Sequence, residues 1–463
     1  MENKNQQFQA ENQQFRLPFL LSSVKNKKIH VSYTGKDIST DGGALLLMEM
    51  DNRLGLIDKI NNCITDERDQ RYIDHQQIEM VKQRIFQIAC GYEDGNDCDQ
   101  LKADPVFKVC AGKLPETDPD LASQPTMCRL ENSVSATELY SIAKVFADQF
   151  IGSYTKEPGL IIIDCDDTNN NCHGDQQLSI FNNYYGEYCY MPLHIYEGLS
   201  GKLITTILKP GRRSKNADVF AILKRIIDHL RQHWKNTLII LRGDGHFCSH
   251  QFMDWSVDHE SLHFVTGLTG NKKLNELIKV TTESAQQAFA ANNKNQKRYV
   301  SFQYQAQSWA HPQQVTAKVE VTEKGTNIRY IVSSMKGYRS SHIYEKGYCA
   351  RGNMELRIKE HKLYLKSDRS SCNSFRANQF RLFLHSAAYV LIHTLQKEVL
   401  TGTDYANATM KTIQLKILKT AAWVREMPAC RTDRKTKIKI ELPRGFANMV
   451  EQRGAFDILV PSG

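Results

Sequence analysis

The chain has 463 residues, 41% of them hydrophobic and 24% charged, with a formal charge of +9. This is an ordinary globular composition, and the length allows two or three domains with at least one large core. No apolar run reaches the ~18–20 residues of a membrane span, since the stretch Ala387–Leu395 is too short, and the Gln- and Asn-rich Met1–Phe15 lacks the apolar centre of a signal peptide, so a cytoplasmic location is expected.

Residues 1–40 read as a tail leading into a short polar strand near Lys28–Tyr33. From about Gly42 to Phe146 the pattern is helical. Gly43–Ile57 is apolar at helical spacing, Asp74–Ala89 repeats apolar positions every three or four residues, and Ser135 is placed to cap another helix. Gly91 and the acidic Glu93–Asp99 break this pattern. Leu160–Ile163 is a fully apolar strand that runs into Asp164-Cys165-Asp166-Asp167-Thr168. Strands are predicted near Tyr188–Tyr196 and Lys202–Lys209, parted by a turn at Gly198–Gly201. An amphipathic helix over Ala217–His233 leads to a fourth strand, Thr237–Leu241, ending in Arg242-Gly243-Asp244-Gly245; a helix and a fifth strand, Leu262–Leu268, follow. Three strands, helix, strand, helix, strand is by analogy the element order of an RNase H-like α/β fold. Between about 271 and 340 lies a β-rich insertion: a polar helix, then alternating segments near Arg298–Gln307, Gln314–Val321 and Ile328–Ser333 that read as antiparallel. From Ser341 the chain is helical again, through two strongly apolar helices to a basic segment and an irregular tail.

Basic residues outnumber acidic ones from Lys411 to Arg444, with Arg431, Arg434, Lys435, Lys437 and Lys439 close together, and Lys209, Arg212, Arg213 and Lys215 follow a predicted strand. Such clusters favour a phosphate-rich partner, although a solvated basic face reads equally well for either one alone. The twelve cysteines contain no C-x-x-C pair. The tightest metal-ligating set is Cys165, Cys172, His173 and Cys189; reduced, partly buried thiols are preferred there to a zinc site.

Two acids stand where strands end, Asp166 after the first and Asp244 after the fourth, and the carboxyl ends of such strands carry chemistry in α/β sheets. Asp164, Asp166 and Asp167 crowd together, and alternation puts Asp164 and Asp166 on one side. Concentrated negative charge beside a sheet calls for a cation, and Mg²⁺ is the hard ion that takes carboxylate and phosphate oxygens. Further on, Tyr348, Arg351, Glu355 and Lys362 are separated by two, three and six residues. On a regular helix these four fall within an arc of roughly 60°. That stripe would suit a crossing DNA backbone, with Arg351 as a bidentate phosphate binder. The plain alternative is a surface ion pair between Arg351 and Glu355.

The spacing Tyr348, Arg351, Glu355, Lys362 resembles the Y-x2-R-x3-E-x6-K signature of bacterial insertion-sequence DDE transposases. Asp166-Asp167-Thr168 is similar to their D-x-T, and Arg242-Gly243-Asp244-Gly245-His246-Phe247 to their second-aspartate motif. Gly42-Gly43-Ala44-Leu45-Leu46-Leu47 and Gln307-Ser308-Trp309 resemble the subgroup called transposase DDE domain group 1. The likeness spans about Gly42 to Pro443. It implies an RNase H-like catalytic core interrupted by the β-rich insertion. Asp166, Asp244 and Glu355 would be catalytic and hold two Mg²⁺ (or Mn²⁺) ions, with Asp164 as a further candidate ligand. Asp164 and Asp167 compete for the first position; Asp166 is chosen because it satisfies D-x-T. Tyr348, Arg351 and Lys362 would contact phosphates of the element's end, and Arg212, Arg213 and Lys435 are further candidate DNA contacts. Trp309 is a candidate receiver of a flipped base, with packing of the insertion as the preferred alternative.

The expected division is a tail (1–40), a helical N-terminal domain that binds DNA ends (41–155), the first part of the core (156–270), the β-rich insertion (271–340), the second part of the core with the glutamate helix (341–400) and a basic helical C-terminal region (401–463). The expected function is DNA transposition: recognition of terminal inverted repeats, metal-dependent cleavage and strand transfer into target DNA, by a homodimer in a synaptic complex on the nucleoid. An RNase H-like nuclease without strand transfer, or a non-catalytic DNA-binding descendant of a transposase, is the alternative.

Overall fold

The computed structural model describes residue 25 and residues 38–211, 216–427, 437–443 and 445–446. Among them run the strands β1 (Ile38–Ser39), β2 (Leu160–Asp167), β3 (Asn170–Asn171), β4 (Ile180–Asn182), β5 (Glu187–Tyr190), β6 (Leu193–Glu197), β7 (Leu203–Ile207), β8 (Leu238–Gly243), β9 (Leu262–Leu268), β10 (Gln296–Tyr304), β11 (Gln313–Thr322), β12 (Gly325–Ser333), β13 (Ala422–Met427) and β14 (Lys437–Glu441). Eight of these form one mixed sheet in the order β10-β11-β12-β9-β8-β2-β6-β7. β2 pairs in parallel with β8, and β8 with β9, whereas β2 with β6 and β6 with β7 are antiparallel. β2, β8 and β9 are covered on both faces, which is why their sequences are apolar runs rather than alternations.

The antiparallel β10–β12 ribbon is present as expected, but it is not a separate sheet. Tyr330–Ser333 of β12 pairs with Val265–Leu268 of β9, so the insertion lengthens the core sheet and covers what would be an open edge. The strand expected over Tyr188–Tyr196 is in fact two. Met191-Pro192 interrupts it, and proline has no N–H for the ladder, so β5 joins a small sheet (β3-β5-β4) while β6 enters the large one. The helical run Gly43–Ile57 is likewise divided, at Gly55, into Ala44–Leu54 and Leu56–Asn61.

The segment expected to be a basic helical C-terminal region departs most from expectation. Among the described residues of this segment Met410–Leu418 is the one multi-turn helical stretch; β13 and β14 form a third sheet with β1. Ala422 and Val424 are buried while Trp423 and Arg425 are half-buried, a period of two that the density of charge had concealed.

Helix Ala136–Gly152 starts where predicted, at a capping box in which Ser135 and Glu138 satisfy each other's backbone N–H. The helices expected as a separate N-terminal unit share one apolar core with later ones: Phe86, Ile88 and Phe107 pack in the same cluster as Phe383, Ala387 and Leu391. Helix Phe375–Thr394 lies against Gln77–Ala89. Polar ties cross this contact, since Glu131 receives the fully buried Arg84 at 3.1 Å and lies 3.7 Å from Arg381. A second cluster lies under the sheet, combining Ile161, Ile163, Leu241 and Phe264 with Leu223 and Ile227 of helix Asn216–His233. Among the described residues no helix is long and apolar enough to cross a membrane.

Candidate active site

The parallel register of β2 and β8 brings the first two acids together. Cys165 stands opposite Gly243, so Asp166 and Asp244 each lie one residue further along neighbouring strands. Asp244 follows the last residue of β8, where its carboxylate accepts the His246 N–H at 2.8 Å and is held at the start of a tight turn. Glu355 arrives from the helical segment 343–364 and is largely exposed.

Arg351 lies among the three acids. Its guanidinium donates to Asp166 Oδ2 at 2.7 Å and to Glu355 Oε1 at 3.4 Å. Burial raises the Asp166 carboxyl from its ordinary 3.8 to about 6; Arg351 pulls it down and Asp244 pushes it further up. Asp166 is therefore a carboxylate whose negative charge is poorly solvated, next to a second one, and a cation relieves both. Desolvation opposes the Arg351 charge, yet Asp166, Tyr348, Asp244 and Glu355 around it keep its pKa above the ordinary arginine value.

The neighbours of Asp166 are otherwise engaged. Asp164 is 1% exposed and both its oxygens accept from Arg242, at 2.5 and 2.7 Å. Arg242 is its partner across the β2–β8 pair and also donates to the Gly347 carbonyl at 3.0 Å. Both Asp167 oxygens accept from Lys209 Nζ, at 2.7 and 2.8 Å. Burial raises the pKa of both carboxyls, and these cations work against it. The Arg242 and Lys209 pairings were missed from the sequence; the only signal for Arg242 was its position two residues before Asp244, in register with Asp164.

The stripe of four residues does not lie on one regular helix. The segment runs as wide π turns (Ile343–Tyr348), a tight 3-10 turn (Cys349–Arg351), an α-helix (Gly352–Lys359) and π turns again (Glu360–Tyr364), so spacing at 100° per residue does not describe it. Tyr348 is half-buried, with its hydroxyl close to Gly267 at the end of β9. Lys362 turns towards the loop after β2: its ammonium contacts Asn169 O, donates to Asn169 Oδ1 at 3.1 Å and to Thr168 Oγ1 at 3.3 Å, and is lowered in pKa by desolvation.

Trp309 sits in the core beneath the insertion at 8% exposure, edge-on to Tyr304 with centroids 5.5 Å apart, so it offers packing rather than an open face to a base. Arg212, Arg213 and Lys435 lie outside the described residues. Cys165, Cys172, His173 and Cys189 do not gather as a ligand set, in line with the preferred reading of reduced thiols: Cys165 is in the core of the large sheet, Cys189 is in the small sheet and Cys172 follows β3. Among the described residues one His, Cys, Asp or Glu trio has ligand atoms within 4.8 Å of one another: Asp148, His229 and His233. Asp166, Asp244 and Glu355 are therefore spread wider than that, around the Arg351 guanidinium. Their chemistry still fits hard divalent cations: three carboxylates, one with its pKa raised, and no thiolate or imidazole among the three.

The family model described as transposase DDE domain group 1 matches residues 21–458 of the chain. No curated protein matches it. Among solved structures the chain is similar to the cryo-EM structure of a piggyBac transposase synaptic complex with hairpin DNA, at 11% identity and a TM-score of 0.43, over 81% of this chain and 80% of that one.

Proposed function

The chain belongs to the transposase DDE domain group 1 family, and from that premise we propose that it is the DNA transposase of an insertion sequence, which binds terminal inverted repeats and catalyses metal-dependent strand cleavage and strand transfer with Asp166, Asp244 and Glu355. One observation carries the reading: acids from three distant parts of the chain gather at one end of the central strands, around a single guanidinium. The core is proposed to be RNase H-like. Its strand order β7-β6-β2-β8-β9, with two antiparallel pairings on one side of β2 and two parallel ones on the other, supports this.

Asp166, Asp244 and Glu355 would hold two Mg²⁺ (or Mn²⁺) ions. Asp166 is preferred to its neighbours because the carboxylates of Asp164 and Asp167 are already paired with Arg242 and Lys209. Ions bound there supply Lewis acidity at the scissile phosphate and a nucleophile at neutral pH. The chain's own residues do the rest. The β2–β8 register fixes the distance between Asp166 and Asp244 before substrate arrives. Arg351 is placed to exchange carboxylate for a DNA phosphate, which its planar fork matches. Lys362 holds the Thr168–Asn169 loop next to Asp166, and Tyr348 packs against the strand end behind Asp244. A homodimer in the synaptic complex, target DNA as second substrate and a place on the nucleoid complete the proposal.

The test is Glu355→Ala. Gel-shift binding to the element's end should persist while Mg²⁺-dependent cleavage disappears; retained cleavage removes the assignment. Inverted repeats bracketing the reading frame would supply the end to use.

A further inference from the structure

β4 and β5 form a hairpin that carries Phe181, Tyr184, Tyr185 and Tyr188 within eight residues. All four rings are exposed, at 47, 88, 37 and 57% respectively. Aromatic surface concentrated in this way is more than the scattered apolar exposure of an ordinary protein surface. Phe181 and Tyr188 face each other across the strands with rings 5.4 Å apart, and the Tyr184 and Tyr185 rings are 4.9 Å apart; both pairs are near-perpendicular, at 69° and 88°. A pair set edge to face leaves ring faces free to receive a third π system.

The hairpin is fixed in place. Asn182 donates to the Gly211 carbonyl at 2.7 Å, and Glu187 accepts from Asn169 at 3.0 Å and Asn171 at 2.5 Å. Gly211 backs against the hairpin so closely that a Cβ there would stand 2.0 Å from Cys189 O and 2.4 Å from Ile180 O. Asn169 is the residue that Lys362 grips from the helix carrying Glu355. The position is close to the acids as well: Asn169, which Glu187 of β5 holds, lies three residues after Asp166.

We propose that this hairpin is a stacking platform for unpaired DNA bases at the end being cut. The inference rests on the DNA transposase reading and adds a binding site to it. Cleavage at a duplex end brings acids and DNA strands together, and strands that part there present bases to whatever aromatic surface is fixed alongside. Stacking is tolerant of sequence because every base has a π face, and a rigid platform loses little entropy on binding. A second protein is the competing occupant. The site's anchoring to the acid-bearing loop, through Asn169, favours DNA.

The experiment uses the full chain and two probes: a duplex with a short unpaired fork carrying 2-aminopurine, and the fully paired duplex of the same sequence. The wild type should prefer the fork and alter the fluorescence of its unpaired base. Tyr184→Ala with Tyr188→Ala should weaken fork binding at least about tenfold and leave paired-duplex binding within about twofold. Tyr184→Phe with Tyr188→Phe, which keeps both rings, should restore the preference. An Ala double variant that binds both probes like the wild type overturns the platform while leaving the transposase reading intact. A change in sedimentation behaviour with unchanged fork binding overturns it in favour of a protein interface. A wild type that binds neither probe overturns both readings.

Discussion

Replacing Asp164, Asp166 and Asp167 by Asn, one at a time, should move stability and cleavage in different directions. For Asp166, burial and the neighbouring Asp244 outweigh Arg351 and raise its carboxyl from 3.8 to about 6. At about 1.4 kcal/mol per pKa unit, keeping it ionised destabilises the folded protein by up to about 3 kcal/mol. A carboxyl with a raised folded-state pKa binds its proton more readily in the folded protein than in the unfolded chain. Its favourable contribution is therefore complete below about pH 4 and is lost as the pH rises through about 6. Asp166→Asn removes that penalty at pH 8, and Arg351 keeps Glu355 as an acceptor at 3.4 Å. Asp164→Asn acts in the opposite sense. Desolvation raises the Asp164 pKa too, so neutralising it relieves part of its burial. It also leaves Arg242, 2% exposed, without its carboxylate and with the Gly347 carbonyl in its place. Removing one partner of a buried pair usually costs about 3–5 kcal/mol, and that loss decides the sign, towards the low end of the range. Asp167→Asn should follow Asp164, because Lys209 is similarly buried against it.

The assay is urea unfolding at pH 8 in EDTA, alongside Mg²⁺-dependent cleavage of an element end at a temperature where all variants are folded. D166N should be at least as stable as wild type and inactive; D164N should be less stable and retain measurable cleavage. A D164N protein of wild-type stability that cannot cleave, beside a D166N protein that can, would transfer the first-acid role to Asp164 and refute the reasoning.

Cleavage should fall as the pH drops through about 6, approaching tenfold per unit on the acid side, because Asp166 must lose its proton before it can hold a cation. More Mg²⁺ should shift that midpoint to lower pH, and a flat profile between pH 5 and 8 would contradict the raised pKa. Arg351→Gln takes away a cation that competes for the same carboxylates, so Mn²⁺ binding by the protein alone should tighten by about tenfold while cleavage declines; titration calorimetry that finds equal or weaker binding counts against this. Gly267→Ala places a Cβ 2.8 Å from Gly245 N and 2.9 Å from the Tyr348 hydroxyl. The Asp244 turn must then shift, and cleavage should drop by about 100-fold with a far smaller change in the unfolding midpoint.

The parts of this site that were legible in the sequence are those whose signal is local. β2, β8 and β9 are buried on both faces and therefore read as apolar runs, and the acids at the ends of β2 and β8 could be found by counting to the end of each run. Glu355 was legible through its spacing from Tyr348, Arg351 and Lys362. What failed depends on contacts between distant segments. Across the π and 3-10 turns around Arg351, Ile343 and Tyr344 pack into one cluster and Met354 into another, an arrangement that no periodicity encodes. Lys209 and Arg242 find their aspartates only once β2, β6, β7 and β8 are in register. Trp309 was open to two readings from its place beside Gln307 and Ser308, and its burial with residues of β10 and β11 agrees with the preferred one, packing of the insertion. The aromatic hairpin had a local signal that was passed over, four rings in the run Phe181–Tyr188 around the turn formers Asn182, Asn183 and Gly186.

Register also explains why an arginine belongs in this centre. Parallel pairing of β2 and β8 sets Asp166 beside Asp244 whatever the side chains prefer, so the repulsion between them is built into the sheet and cannot be relaxed by turning one strand away. A positive charge beside them offsets it without protonating Asp166. Glu355, on a different element and largely exposed, is free of that constraint and can follow the cation. Arg351 meets the need from four residues before Glu355, through a tight turn that brings its guanidinium to Asp166. For the proposed exchange of carboxylate for phosphate, a cation carried on the segment of Glu355 rather than on β2 or β8 can balance the acids and still move away from them. The Arg351–Glu355 spacing on a shared helical segment satisfies both conditions.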